Sequence, residues 1–197
     1  MLRHPLKITV VFALCLLFRL LPFRAPNVEP ILATQMPVAR LFGGMGAFLF
    51  GFFSILLYDV ITGTVGPWTF FTASAYGVLG LGSAWYFNSR FVTPSQSLPL
   101  KGGEVKKRGT RALRRHFVYF AIVGTLFYDA ATGLTVGPLF FGQPFSSALL
   151  GQIPFTLMHL LGNVTLSLVW SPFLVRWLAK APAPAAHSAL IAINSHA

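Results

Sequence analysis

Apolar positions along this chain come in unbroken runs rather than in alternation: Ile8 to Phe18 and Gly46 to Leu57 are apolar on every side. A membrane-barrel strand would alternate over about ten residues, so the runs predict helices. A backbone in hydrocarbon must satisfy its own N–H and C=O groups, and a helix does this within one segment. The breaks between runs then place the elements. A first helix over residues 6–22 is about the minimum for a crossing. It ends in the polar stretch Phe23 to Pro30, where Pro30 suits the first turn of the next helix. A short second helix over 31–42 stops at the corner Gly43-Gly44-Met45-Gly46, and a third over 47–62 closes at Thr62-Gly63. Gly66-Pro67 turns the chain into a fourth helix over 68–88. Its Ala73, Ala75, Gly77, Gly80, Gly82 and Ala84 let neighbours approach closely and predict a central, packed element.

Beyond it lies a basic segment over 89–111, read as a loop, then a fifth helix over 112–132 and a last one over 153–180. The intervening stretch Gly137 to Gln152 is apolar but broken by Gly142, Pro144 and Gly151, which suits a short re-entrant or interfacial helix. The prediction is an all-α integral membrane protein: a compact bundle of six transmembrane helices with a short re-entrant helix before the last one. Residues 1–180 form a single domain, and the Ala-Pro alternation of 181–197 reads as a mobile tail.

Composition agrees with lipid as the main solvent. Of 197 residues 55% are hydrophobic and 10% charged, against about 25% charged in soluble domains. The formal charge of +11 is concentrated in the 89–111 segment, where Arg90, Lys101, Lys106, Lys107, Arg108 and Arg111 face Glu104 alone, with Arg114 and Arg115 just beyond. A cytoplasmic loop explains that bias better than nucleic-acid binding. With Arg3, Lys7, Arg40, Arg176 and Lys180 it puts both termini on the cytoplasmic side. The start of the chain mimics a signal peptide, but Arg19 and Arg24 stand where small residues should, so cleavage is not expected. The single cysteine, Cys15, excludes an internal disulfide and reads as a core thiol. No metal site and no cofactor are expected.

The chain carries an internal repeat. Tyr58-Asp59-x-x-Thr62-Gly63 recurs as Tyr128-Asp129-x-x-Thr132-Gly133, each followed by Val-Gly-Pro and paired phenylalanines. In the predicted topology both copies leave their helices at the outer surface, a parallel repeat of the kind found in transporters. Of the four acidic residues, Glu29, Asp59 and Asp129 reach this rim with Arg19, Arg24 and Asn27. Ionised side chains in a membrane face a partner or a wet cavity; pairing among these groups and contact with a ligand are both open. His159 and Asn163, four residues apart, share a helix face that would point into the bundle, as interhelical hydrogen-bonding groups or as ligand contacts. Gln143 and Gln152 are further candidate donors. Trp68, Phe70, Phe71, Phe140 and Phe141 gather at the same level, as an interfacial belt or as stacking walls for a flat ring.

In Arg-Leu-Leu-Pro at 19–22 followed by Asn27-Val28-Glu29-Pro30, in the Leu41-Phe42-Gly43-Gly44 corner, in Leu57-Tyr58-Asp59, and in Ile153-Pro154-Phe155 above His159 and Asn163, the chain resembles the substrate-binding S components of energy-coupling factor transporters. The resemblance is one of layout over residues 6–180. It implies a six-helix binder for a vitamin-like small molecule, with an outward pocket under the loop Phe23 to Pro30, and a transmembrane coupling protein and two cytoplasmic ATPase subunits as partners. His159 near an Asp could serve as a base, but the sequence has no nucleophile motif such as G-x-S-x-G and no metal cluster such as H-E-x-x-H, so no enzymatic activity is expected. The sequence has no G-x-x-x-x-G-K-[ST] run, so ATP hydrolysis would belong to a partner. Docking to the coupling protein would use Thr9 and Ala13, where the family's Ala-x-x-x-Ala pattern is interrupted by Leu17. The competing reading is a structural membrane scaffold similar to rod-shape-determining subunits.

Overall fold

The computed structural model describes residues 3–25, 27–90 and 103–179. These form helices α1 (Arg3–Leu20), α2 (Ile31–Thr62), α3 (Pro67–Arg90), α4 (Gly103–Gly133), α5 (Val136–Phe141) and α6 (Phe145–Ala179), with no strand among the described residues. Three segments are long and apolar enough to cross a membrane: Ile31–Thr62, Ala112–Phe141 and Phe145–Ala179. The expected set of six spans is thus coarser in the structure. α1 has only 18 residues, near the lower limit for a crossing, and the small and polar residues of α3 dilute its hydropathy.

α2 contains the predicted corner. Gly43 has φ 78 and ψ −177, a left-handed conformation that glycine adopts without a Cβ clash. The arms on either side fold towards each other, since the Gln35 amide donates to the Ala47 carbonyl at 2.8 Å and to the Tyr76 carbonyl of α3 at 2.7 Å. The first arm, not α3, is the centre of the bundle: every residue from Ile31 to Ala39 is buried. Most of its polar groups find partners there, the Gln35 amide oxygen excepted. Thr34 Oγ1 accepts from Trp170 Nε1 at 3.0 Å, and Ser171 of α6 donates to the Ala33 carbonyl at 2.6 Å.

α3 packs one face of small residues against the second arm. A Cβ on Gly80 would stand 2.5 Å from the carbonyl carbon of Ala47. Gly80→Ala therefore forces the backbones apart, and thermal unfolding of the variant should show a loss of about 2 kcal/mol, the usual cost of overpacking. Unchanged stability would mean that this helix contact is loose.

The end of α2 is capped as its sequence suggests. Gly63, at φ 70, turns its N–H to the Asp59 and Val60 carbonyls, and Thr64 N–H donates to Asp59 O at 2.9 Å. Pro67 opens α3, and the Gly66 N–H donates to Thr69 Oγ1 at 3.1 Å, half of a capping box.

Two boundaries differ from expectation. α4 starts at Gly103, so the later part of the basic segment is helical rather than loop, while residues 91–102 and the tail 181–197 lie outside the described residues. The stretch Gly137 to Gln152 is not one re-entrant helix. α5 is capped at Gly142, in the left-handed conformation, and α6 begins at Phe145, straight after Pro144. Pro154 then lies inside α6 instead of opening it. A membrane bundle tolerates this because neighbouring groups compensate the missing N–H.

Candidate functional site

The loop Leu21 to Pro30 brings the first group of polar residues together. The Arg19 guanidinium, on the last turn of α1, lies 3.3 Å from the Glu29 carboxylate, donates to the Ser54 carbonyl at 2.7 Å and stacks over the Tyr58 ring at 4.0 Å. Arg24 closes the loop on itself: its Nε donates to the Arg19 carbonyl at 2.9 Å and its guanidinium stands 3.8 Å from Glu29. Asn27 takes a different part. It has φ 62, a left-handed turn that asparagine tolerates better than most residues, and so shapes the loop backbone. The loop rests on α6, where a Cβ on Gly162 would come within 3.0 Å of Val28 Cα.

The second group lies between α4 and α6. His159 Nδ1 is 2.7 Å from Asp129 Oδ1, both side chains being almost wholly buried. One turn along each helix, Asn163 Nδ2 donates to Thr125 Oγ1 at 2.8 Å. These two rungs follow from helical geometry, since 125 and 129 share a face of α4 as 159 and 163 share a face of α6. Tyr76 of α3 joins them, its hydroxyl 3.5 Å from His159 Nε2 and its ring 4.2 Å from that of Tyr128. Tyr128 presents its ring edgewise to His159 at 5.9 Å between centroids.

The two groups adjoin where the loop meets α6, since Val28 rests on Gly162, the residue before Asn163. Three buried polar atoms of the two groups have no hydrogen-bond partner among the described residues: Arg19 Nε, Asp129 Oδ2 and Asn163 Oδ1. Buried side-chain polar atoms are satisfied in the large majority of cases, and each unsatisfied one costs about 1–3 kcal/mol. A guanidinium N–H, a carboxylate oxygen and an amide oxygen are thus left with hydrogen-bonding capacity unused inside the bundle, Asp129 beside His159 and Asn163 beside Thr125.

The other candidates fall elsewhere. Asp59 accepts from the Thr69 hydroxyl at 2.6 Å and so ties the end of α2 to the start of α3, a joint between elements rather than a wall of the centre. Trp68 packs on Phe141, 5.1 Å between ring centroids, joining the two repeat copies at the rim. Gln143 is exposed beside Gly137, and Gln152 donates to Thr156 Oγ1 at 3.1 Å while lying against Gly133. Thr9 and Ala13 are on the exposed face of α1, Thr9 in a shallow apolar groove with Phe12, Gly46 and Phe53. Among the described residues no group of three His, Cys, Asp or Glu side chains could hold a metal ion.

Sequence reasoning missed Tyr76, Thr125 and Ser54. Thr125 had a signal, its place one turn before Asp129. Tyr76 had only its position as a large polar residue in a helix of small ones.

Comparison with protein-family models, with curated proteins and with solved structures finds no match to this chain. The class rests on the fold and site themselves: a helical membrane protein whose charged and amide side chains are gathered in a buried centre beneath one loop.

Proposed function

We propose that this protein is a membrane-embedded binding subunit that captures a vitamin or vitamin precursor under the loop Leu21 to Pro30. The observation that carries the reading is the set of unpaired buried atoms, Arg19 Nε, Asp129 Oδ2 and Asn163 Oδ1, beside the Tyr76–Tyr128 pair. Charged and amide groups inside a membrane bundle are costly and mark functional sites, and a mostly apolar wall with a few placed polar groups is the usual form of a small-molecule site. In this reading Arg19 and Glu29 orient the loop over the ligand, while Asp129 and Asn163 accept its N–H or O–H groups. His159 and Tyr76 hold Asp129 in place. The protein is not an enzyme. It sits in a prokaryotic inner membrane with both termini inside and works with a coupling protein and two ATPases, as the resemblance to the energy-coupling factor S components implies.

A second reading, a structural scaffold, draws on the pairing already present: Arg19 with Glu29 and Asp129 with His159 are each other's partners. Equilibrium titration of the purified protein with vitamins, their precursors and nucleobases separates the two. Capture predicts tight binding by one of them and a roughly tenfold loss in Asn163→Ala, the worth of one hydrogen bond. Absence of any binding, together with a stable complex with cell-wall proteins, would establish the scaffold.

A further inference from the structure

Away from the buried centre, α3 and α4 diverge and leave a groove of about 470 Å³ lined by Val78, Gly82, Trp85, Tyr119, Val123 and Phe127 among others. Its floor stays open because Gly82 has no side chain, and a Cβ placed there would meet nothing within 4 Å. Tyr86, on the groove wall, is held by a 2.7 Å bond between its hydroxyl and His116 Nδ1. The α4 wall is built at four-residue intervals, Tyr119, Val123 and Phe127, and the same interval backwards reaches Arg115, which is exposed, as is Arg114 beside it. The helix therefore presents one face that is cationic at one end and apolar along the rest. Upstream the sequence of the same helix adds Lys106, Lys107, Arg108 and Arg111. From Arg115 to Phe127 the rise is about 18 Å, close to one leaflet of a hydrocarbon core about 30 Å thick.

We infer that this groove is a binding site for an anionic phospholipid, its headgroup at Arg114 and Arg115 and an acyl chain lying along Tyr119, Val123 and Phe127 past Gly82. The occupant follows from the charge. A zwitterionic lipid offsets its phosphate with its own cation and a neutral apolar helix brings no charge, whereas an anionic lipid brings net negative charge to the exposed Arg114 and Arg115, one turn before the groove-lining Tyr119. Basic residues at the end of a membrane helix attract such headgroups, and Trp85 and Tyr119 have the amphipathic rings that favour that level. The site is separate from the ligand centre and does not depend on its reading.

Native mass spectrometry of the full-length protein, titrated with dioleoylphosphatidylglycerol or with dioleoylphosphatidylcholine, tests this. The anionic lipid should remain bound where the zwitterionic one, with identical chains, is lost. Arg114→Gln with Arg115→Gln should weaken the anionic lipid about thirtyfold, two cations at about 1 kcal/mol each, and leave the other unchanged. Gly82→Leu, whose Cβ has no heavy atom within 4 Å, should reduce binding of the anionic lipid while thermal unfolding stays as in the unaltered chain. Equal retention of the two lipids, or full binding in Gly82→Leu, overturns the proposal. So does a dimer that Gly82→Leu dissociates, which would assign the groove to a second copy.

Discussion

His159→Leu will lower the unfolding free energy by about 3 kcal/mol or more, because it strands the Asp129 carboxylate where no other described residue bonds it. Asp129 is 2% exposed, its Oδ1 has His159 at 2.7 Å and its Oδ2 has no partner among the described residues. A leucine fills the imidazole's place with no donor. The reciprocal change, Asp129→Leu, leaves the imidazole with the Tyr76 hydroxyl at 3.5 Å and should cost less. Replacing both partners should recover much of the loss, since an apolar pair of similar volume needs no desolvation. Reversible unfolding in detergent of the two single variants and the double one gives the coupling between them. Additive losses would mean that the pair does not interact as its geometry indicates. The capture reading adds a second readout: the double variant, though stable, should bind no ligand.

Arg19→Met carries the other large effect. The guanidinium is 6% exposed and joins three groups at once, Glu29, the Ser54 carbonyl and the Tyr58 ring. Methionine keeps the apolar stem but leaves Glu29 with Arg24 alone at 3.8 Å and the Ser54 carbonyl with one donor fewer. A loss of about 3 kcal/mol follows from breaking a largely buried pair at one end. Amide hydrogen exchange should rise across residues 21–30, the loop that Arg19 anchors, more than in the core arm Ile31 to Ala39. Arg19→Lys should not restore protection, because a single ammonium cannot serve Glu29, Ser54 and the tyrosine face together. Unchanged exchange in the loop would show that Val28 on Gly162 and the Arg24 bonds hold it without Arg19.

Much of the local structure was legible in the chain because its causes are local. The Gly43 corner, the Thr62-Gly63 cap and the Gly66-Pro67 start each follow from the backbone freedom of one or two residues. The shared face of His159 and Asn163 follows from the helical period. Boundaries were less legible where local signals competed. Pro154 looked like a first-turn residue, yet Gly142 and Pro144 upstream had already set the start of α6. The cations of the 89–111 segment looked like loop, although residues from Gly103 onward continue α4.

Within the candidate centre the same division holds. That acidic residues are few, and that Glu29, Asp59 and Asp129 fall at the ends of apolar runs with Arg19 and Arg24 nearby, is a property of the sequence, because charged groups in a hydrophobic chain cannot be scattered without cost. Which of them meet is not. The Tyr-Asp repeat suggested equivalent roles for Asp59 and Asp129, but Asp59 is bonded to Thr69 at a helix joint whereas Asp129 is buried against His159. The two copies diverge because the chain after the first continues into the long α3, and after the second into the six-residue α5. Tyr76 reached the centre only because the small-residue face of α3 lets that helix press against the arms of α2. Helical segments and their polar content were therefore determined by the sequence alone, through periodicity, capping and composition. Partner choice among residues 30 to 83 positions apart was decided by tertiary packing, because such contacts depend on which helix faces fit together.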